Sequence, residues 1–176
     1  AGYLLDVFMI TFLFFGFHGK ILSYTVIFFD FECGVINPMK LLIVDDEKLT
    51  REGILKSLPL EKLGIHQTFL ADDGIHGLKI ALKEKPDLIL TDVRMPRMSG
   101  VEMAEEILKV LPNAIILLMS AYSDKEYLKA AIKLKAVSYV DKPLDMNELT
   151  EALSEGIRQY RSIYASLNAK WMHEYN

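Results

Sequence analysis

The chain of 176 residues contains a single cysteine, Cys33. One thiol excludes an internal disulfide framework and any metal site built from several cysteines. The formal charge of −4 is small, so net charge does not indicate a protein that binds nucleic acid through a broadly basic surface. With 10 glycines and 6 prolines the chain is not collagen-like or of low complexity. The composition indicates one globular domain with an appendage, long enough to bury its own apolar core.

The apolar excess is concentrated in residues 1–38, which contain most of the phenylalanines and only one basic residue, Lys20. Two apolar runs, Tyr3 to Phe17 and Ile21 to Phe29, are each shorter or more interrupted than the ~20 residues that a membrane-spanning helix needs. A signal peptide would show a basic start and a cleavage site of small residues, and neither is clear here. We therefore expect a hydrophobic leader that derives from translated upstream sequence, with a membrane segment as the alternative.

From Met39 onward, short apolar runs alternate with amphipathic stretches. The runs that predict strands are 40–44, 65–71, 87–91, 114–119 and 137–140. The stretches that predict helices are 47–58, 73–83, 101–111 and 124–134, with a last helix capped by Asp145. Five strands alternating with five helices at this spacing predict a doubly wound α/β fold around a parallel sheet.

Polar residues follow four of the five predicted strands. Asp45 and Asp46 come after the first strand, Asp92 after the third, Ser120 after the fourth and Lys142 after the fifth. In sheets of this kind, ligands bind outside the carboxyl ends of the strands. Each of these residues alone is more often an ordinary turn or surface residue, but their joint placement predicts one site.

The chemistry of this site follows from its residue types. Three carboxylates brought together repel one another unless a cation neutralises them. Because the predicted site offers oxygen ligands and no histidine or cysteine, the expected cation is Mg²⁺. A lysine and a hydroxyl beside Mg²⁺ suit a phosphoryl group, since Lys142 supplies charge and Ser120 a hydrogen bond. Asp92 is central among the strands and is the expected nucleophile that forms an aspartyl phosphate.

Residues 40–154 resemble the receiver domain of bacterial two-component response regulators. The matching segments are Leu-Leu-Ile-Val-Asp45-Asp46-Glu, Pro-Asp-Leu-Ile-Leu-Thr-Asp92-Val-Arg-Met-Pro-Arg-Met-Ser-Gly100, Met-Ser120-Ala and Tyr139-Val-Asp-Lys142-Pro143. The resemblance implies the five-stranded, flavodoxin-like fold of CheY-like proteins, with a C-terminal helical extension in this chain. It also implies a switch that phosphorylation activates.

The resemblance assigns a role to each site residue. Asp92 is the expected phosphoacceptor. The expected Mg²⁺ ligands are Asp46, Asp92, the backbone carbonyl of Arg94 and, largely through water, Asp45.

Three further residues receive roles from the same resemblance. Lys142 and Ser120 are expected to contact the phosphoryl group. Tyr139 is the expected switch aromatic, whose ring turns inward when Ser120 moves towards the phosphate. The alternative for Tyr139 is an ordinary, half-buried strand aromatic.

The resemblance also implies partners and a compartment. The expected phosphoryl donor is a sensor histidine kinase, and the expected location is the cytoplasm. A homodimer is expected through the face made by the fourth helix, the fifth strand and the fifth helix. The chain would be a regulator and not an enzyme, although it catalyses its own phosphorylation and dephosphorylation.

We expect the receiver domain to span residues 39–155 and residues 156–176 to form a helical linker towards a missing output domain. The segments Arg51-Glu-Gly-Ile, 60–64 and 120–127 resemble receivers that precede an AraC-type helix-turn-helix domain. This subgroup implies transcriptional regulation, with DNA bound only through that absent domain. The linker itself is either a dimerising helix or a surface helix that caps the receiver.

The sequence bears on three other function classes. A Mg²⁺-dependent phosphatase with an aspartate nucleophile needs a second aspartate two residues later, where this chain has Arg94. No glycine-rich phosphate loop follows the first strand, which counts against nucleotide binding. The remaining alternative is a degenerate receiver that binds partners without phosphorylation, which should lack Asp46, Asp92 or Lys142. All three residues are present.

Overall fold

The structure is a computed structural model that describes residues 9–15, 21–27, 38–121 and 138–174. The chain divides into two compact units, residues 1–37 and 38–176. In the first unit, strands β1 (Met9–Phe15) and β2 (Ile21–Ile27) pair in antiparallel register. Among the described residues there is no helix long and apolar enough to cross a membrane.

The second unit is built on a five-stranded sheet. Its strands are β3 (Met39–Val44), β4 (Ile65–Ala71), β5 (Leu88–Asp92), β6 (Ile115–Ala121) and β7 (Ser138–Lys142). All neighbouring pairs are parallel, and the strand order is β4-β3-β5-β6-β7. The order reverses at β3, so the crevice between β3 and β5 is the switch point where such sheets bind ligands. The predicted doubly wound parallel fold is confirmed.

Four helices are described in this unit: α1 (Lys48–Ser57), α2 (Gly74–Glu84), α3 (Gly100–Val110) and α4 (Met146–Glu174). The fourth predicted helix, residues 124–134, lies outside the described residues. The predicted receiver boundary at residue 155 falls inside α4, which runs without a break. Ile157 is buried, and Tyr160 and Ile163 pack against the core, so the start of the predicted linker contributes to the domain.

The core lies on both faces of the sheet, because a parallel sheet is covered by helices on each side. Along β3, Leu41 and Ile43 join the cluster with Ile54 of α1, while Leu42 and Val44 join the cluster with α2 and α3. Successive side chains of a strand point to opposite faces, so both faces receive apolar residues. This explains why the strands appear in the sequence as continuous apolar runs. The polar side chains of a functional site can then lie only where the strands end.

Candidate functional site

Two acidic residues lie at the carboxyl ends of neighbouring strands, at the same edge of the sheet. Val44 of β3 pairs with Thr91 of β5, and Asp45 and Asp92 follow them directly. Asp45 is fully buried, Asp92 is 8% exposed, and the adjacent Asp46 is exposed. One carboxylate oxygen from each of the three residues lies within 4.8 Å of the others. The structure therefore brings together the three aspartates that the sequence predicted.

Lys142 reaches this cluster from the end of β7. Its Nζ atom donates hydrogen bonds to Oδ2 of Asp92 at 2.6 Å and to Oδ2 of Asp45 at 2.9 Å. Buried carboxylates need such compensation, because removing an ionised group from water is costly unless it is paired. One ammonium thus serves two carboxylates.

The pKa values of Asp92 and Lys142 show how completely the ammonium compensates the buried carboxylates. Burial raises the pKa of the Asp92 carboxyl above its ordinary value, although hydrogen bonds from Lys142 and from the Arg94 backbone act in the opposite direction. Burial alone would lower the pKa of Lys142, but its hydrogen bonds to Asp92 and Asp45 outweigh burial and raise that pKa. Ionised Asp92 is therefore only partly compensated, so an additional cation beside it would stabilise the charged form.

The polar groups of Asp45 are each engaged. Oδ1 accepts the Glu47 N–H at 2.8 Å, the Asp45 N–H donates to the Ala71 carbonyl at 3.2 Å, and the Arg51 guanidinium donates to the Asp45 carbonyl. These bonds hold the acidic turn between β3 and α1. Arg51 belongs to the subgroup motif Arg51-Glu-Gly-Ile and was not predicted as a residue of the site.

Asp92 is held by the residues around it. Its Oδ1 atom accepts the Arg94 N–H at 3.3 Å, and the buried Thr91 hydroxyl donates to the Asp92 carbonyl at 3.0 Å. Gly100 packs so closely that a Cβ atom there would clash with the Asp92 carbonyl oxygen. Thr91 and Gly100 support the site but were not predicted to do so. The feature of the sequence that could have indicated the role of Gly100 is its position at the end of the loop that begins with Met95-Pro96.

The predicted switch residues lie on the two strands at one side of the sheet. Ser120 is fully buried near the end of β6, where its hydroxyl donates to the Ala121 carbonyl at 3.2 Å. Tyr139 of β7 pairs with Leu118 and packs, half-buried, against the core cluster that contains α3. Lys142 lies opposite Ala121 in the same register. The strands that position the switch residues therefore also position the site lysine.

The donor set of the cluster fits a hard divalent cation. Its side-chain ligand atoms are carboxylate oxygens, which Mg²⁺ prefers and which soft metals do not. Two of the three aspartates are buried and one is exposed, so an ion can reach the cluster from solvent. The acidic site is thus suited to Mg²⁺.

Comparison with known proteins identifies the family. Residues 41–154 match the family described as response regulator receiver domain, and the chain belongs to it. The transcriptional regulatory protein HptR of Staphylococcus aureus is 36% identical over 119 residues, covering 68% of this chain and 46% of HptR. An uncharacterized response regulatory protein of Staphylococcus epidermidis is 35% identical over 114 residues, or 65% of this chain and 45% of that protein. The chain therefore spans about half the length of the curated relatives it matches.

Solved structures agree with this assignment. A two-component transcriptional regulator AraC from Clostridium phytofermentans is 50% identical, with a TM-score of 0.67 and coverage of 70% of this chain and 96% of that one. The receiver domain of AraT, a response regulator from Geobacillus stearothermophilus, is 29% identical, with a TM-score of 0.69 and coverage of 72% and 98%. The predicted family, the receiver domain of two-component systems, is confirmed.

Proposed function

We propose that this receiver accepts a phosphoryl group on Asp92 from a sensor histidine kinase, with Mg²⁺, and switches conformation to control an output domain. The observation that carries the proposal is the Lys142 ammonium, which bridges Asp92 and Asp45 beside a third carboxylate. This arrangement combines a nucleophile, a fixed positive charge and a cation site, the elements that phosphoryl transfer needs. The names of the relatives support transcription as the output.

In the proposed reaction a carboxylate oxygen of Asp92 attacks the phosphorus of a phosphohistidine on the kinase. The new O–P bond forms as the N–P bond breaks, and the electron pair remains on the imidazole nitrogen, which takes up a proton. Asp45, Asp46, Asp92 and the Arg94 carbonyl would hold Mg²⁺, which supplies charge neutralisation for the phosphoryl oxygens. Lys142 supplies the second positive charge. Water later hydrolyses the acyl phosphate, so the chain acts as a timed regulator and not as an enzyme that turns over a separate substrate.

We propose that Ser120 and Tyr139 carry the signal away from Asp92. The Ser120 hydroxyl donates to a carbonyl at 3.2 Å, a long bond that a phosphoryl oxygen can replace with a charge-assisted one. Movement of Ser120 would then open space for the half-buried ring of Tyr139. The phosphate thereby biases an equilibrium between two conformations of the domain.

The kinase must bring its histidine to Asp92, and a groove beside Lys142 suits such a partner. The groove has a volume of about 380 Å³ and lies between α1 and the loop that precedes α4, with Gly53, Ile54, Leu144 and Met146 among its lining residues. A kinase that is charged from ATP works in the cytoplasm, and we propose that compartment for this receiver.

We also propose the remaining assignments that the resemblance implies. Residues 39–155 would form the receiver, and residues 156–176 a linker, packed on the receiver at its start, towards an AraC-type output domain that binds DNA. Residues 1–38 would be a leader derived from translated upstream sequence or, alternatively, a membrane segment. Homodimerisation would use the face that includes β7 and α4. The helix predicted at 124–134 would complete this face, and its residues lie outside the described ones.

The test is the intact mass of the full chain after incubation with acetyl phosphate, with and without Mg²⁺. We expect one phosphoryl adduct that requires Mg²⁺ and disappears in Asp92→Asn. The matched control is Asp72→Asn, which neutralises an exposed aspartate outside the acidic cluster and should keep the adduct. A folded wild-type chain that acquires no adduct would reject the proposal in favour of a degenerate receiver that binds partners unmodified.

A further inference from the structure

The segment that follows the acceptor, residues 93–99, is here called the acceptor loop. It carries the Arg94 backbone, the expected carbonyl ligand of the metal, and it ends where Gly100 packs against Asp92. Near the end of the loop, Met98 lies over the first turn of α2, since a Cβ atom at Gly74 would come within 2.8 Å of the Met98 Cγ. The acceptor loop is therefore packed at its C-terminal end, at Met98 and Gly100, and its conformation decides where the Arg94 carbonyl lies.

Arg97, within this loop, has an unusual backbone conformation. Its φ angle is +69°, in the left-handed region that side chains other than glycine rarely adopt. A residue held there needs a compensating interaction. The Arg97 guanidinium lies against Oδ2 of Asp73 as an ion pair. The side chain of Arg97 is 62% exposed and that of Asp73 is 2% exposed, so the pair closes over a buried carboxylate.

Asp73 has a second role that uses its other oxygen. It is the N-cap of α2, and Oδ1 accepts the His76 N–H at 2.9 Å. Capping requires one acceptor oxygen, which asparagine or serine supplies equally well. The charge and the second oxygen of Asp73 are therefore available to hold Arg97, and through it the acceptor loop.

We propose that Arg97 and Asp73 form a positioning pair that holds the acceptor loop in the conformation that binds Mg²⁺. This inference rests on the proposed Mg²⁺ site. Without the pair, the loop would spend only part of its time in the binding conformation. The apparent dissociation constant for Mg²⁺ rises by the inverse of that fraction, so a loop that is competent a tenth to a third of the time would weaken binding about 3- to 10-fold.

The test measures Mg²⁺ binding to the full chain by titration calorimetry for the wild type, Arg97→Asn, Asp73→Asn and the double variant. Asparagine tolerates the left-handed conformation at position 97 and keeps the N-cap at position 73. We expect each single variant to raise the Mg²⁺ dissociation constant about 3- to 10-fold. The double variant should bind Mg²⁺ no more weakly than whichever single variant has the lower affinity, because either change breaks the same pair.

Two controls separate positioning from general destabilisation. Arg97→Lys retains a cation and should keep much of the Mg²⁺ affinity that Arg97→Asn loses. Arg158→Asn breaks an exposed pair with Glu155 on α4 and should leave the Mg²⁺ affinity unchanged. The unfolding temperature in EDTA should differ little between Arg97→Asn and Arg97→Lys, so that affinity changes without a parallel loss of the fold.

Three results would overturn the inference. Unchanged Mg²⁺ affinity in both single variants would show that the Met98 contact alone holds the loop. Additive losses in the double variant would show that the two residues act independently. A wild-type chain that binds no Mg²⁺ would overturn the proposed function, and this inference with it. If the wild type binds Mg²⁺ and the variants bind it equally well, only this inference is overturned.

Discussion

The Nζ atom of Lys142 lies 2.6 Å from Oδ2 of Asp92, and this bond joins β7 to β5 across the end of β6, the strand between them. The same ammonium lies 2.9 Å from Oδ2 of Asp45, which directly follows β3. Lys142 therefore links three of the five strands at the candidate site. Its position couples the stability of that edge of the sheet to the charge state of the site.

The first prediction concerns the loss of this ammonium. In Lys142→Met, the two buried carboxylates lose their shared cation, and we expect the free energy of unfolding without Mg²⁺ to fall by about 1–3 kcal/mol, less than for a fully buried pair because Lys142 is partly exposed. Because Mg²⁺ can then replace the missing charge, adding it should stabilise the variant more than the wild type. Urea unfolding in EDTA and in Mg²⁺ measures both effects.

The control for this prediction is Lys109→Met, which breaks an exposed pair with Glu106 on α3. Exposed pairs of this kind contribute little, so we expect a change below about 0.5 kcal/mol that does not depend on Mg²⁺. Equal effects of the two substitutions would mean that bridging by Lys142 does not stabilise the strand ends.

The second prediction contrasts two glycines in helices. In Gly100→Ala, the new Cβ atom would clash with the Asp92 carbonyl and come within 2.6 Å of the Thr91 hydroxyl, so we expect a loss of about 3 kcal/mol in the free energy of unfolding. Gly53 of α1 is the matched control, because a Cβ atom there meets nothing within 4 Å. Gly53→Ala should raise the free energy of unfolding by about 0.5–1 kcal/mol. Urea unfolding that gives the same sign for both variants would contradict the close packing at Gly100.

Much of the fold could be predicted because parallel strands are buried on both faces and read as apolar runs. The bounds of β4, Ile65 to Ala71, agree with the prediction. Strand β6 extends two residues beyond its predicted end because Ser120 and Ala121 continue to pair with β7. Pairing with a neighbour, and not the apolar pattern of the strand itself, determines where it ends.

The acidic cluster could be predicted for the same reason, since parallel strands deliver their carboxyl ends to one edge. The contacts of Arg51 with the Asp45 carbonyl and of Arg97 with Asp73 could not. Both depend on loop conformation, and the left-handed backbone at Arg97 leaves no periodic signal in the sequence. Contacts between side chains on different loops follow no fixed spacing in the sequence, so only the three-dimensional structure reveals them.

The third prediction uses the cap of α3. The Ser99 hydroxyl accepts the Glu102 N–H, and the Ser99 N–H donates to Glu102 Oε2 at 2.9 Å. These hydrogen bonds from Ser99 lower the pKa of Glu102 below its ordinary value of 4.5. A carboxyl whose pKa is lower in the folded state stabilises the fold above pH 4.5, and this contribution is lost as pH falls through the lowered pKa.

Glu102→Gln keeps the shape of the cap and removes its charge. We expect a small decrease in unfolding temperature near neutral pH, and the gap from the wild type should close as the pH falls from 4.5 through the lowered pKa of Glu102. Thermal unfolding followed by circular dichroism across this range measures the gap. Glu151→Gln, at an exposed position within α4, is the control and should show no such closing. A gap for Glu102→Gln that widens in acid would contradict the direction of the pKa shift.

The fourth prediction concerns the edge of the sheet opposite the candidate site. The Tyr160 hydroxyl of α4 donates to Oδ1 of Asp87, whose Oδ2 accepts the Lys40 N–H at 2.9 Å. Burial, with the hydrogen bond to Asp87, raises the pKa of Tyr160, which keeps the phenol protonated as a donor. Asp87 thus connects the start of β3 and the approach to β5 with the second half of α4.

In Tyr160→Phe this connection is lost while the ring remains. We expect the free energy of unfolding to fall by about 1–2 kcal/mol, because the hydrogen bond is to a carboxylate and partly buried. Amide hydrogen exchange should accelerate in α4 beyond Ile157, while phosphorylation by acetyl phosphate stays unchanged because Asp92 lies at the other edge. Ser166→Ala is the control, since it removes an exposed hydroxyl that donates to the Ile163 carbonyl of the same helix. If Tyr160→Phe proves as mild as Ser166→Ala, apolar packing around Ile157 holds α4 to the sheet, because the ring contacts remain in the variant and only the hydroxyl is gone.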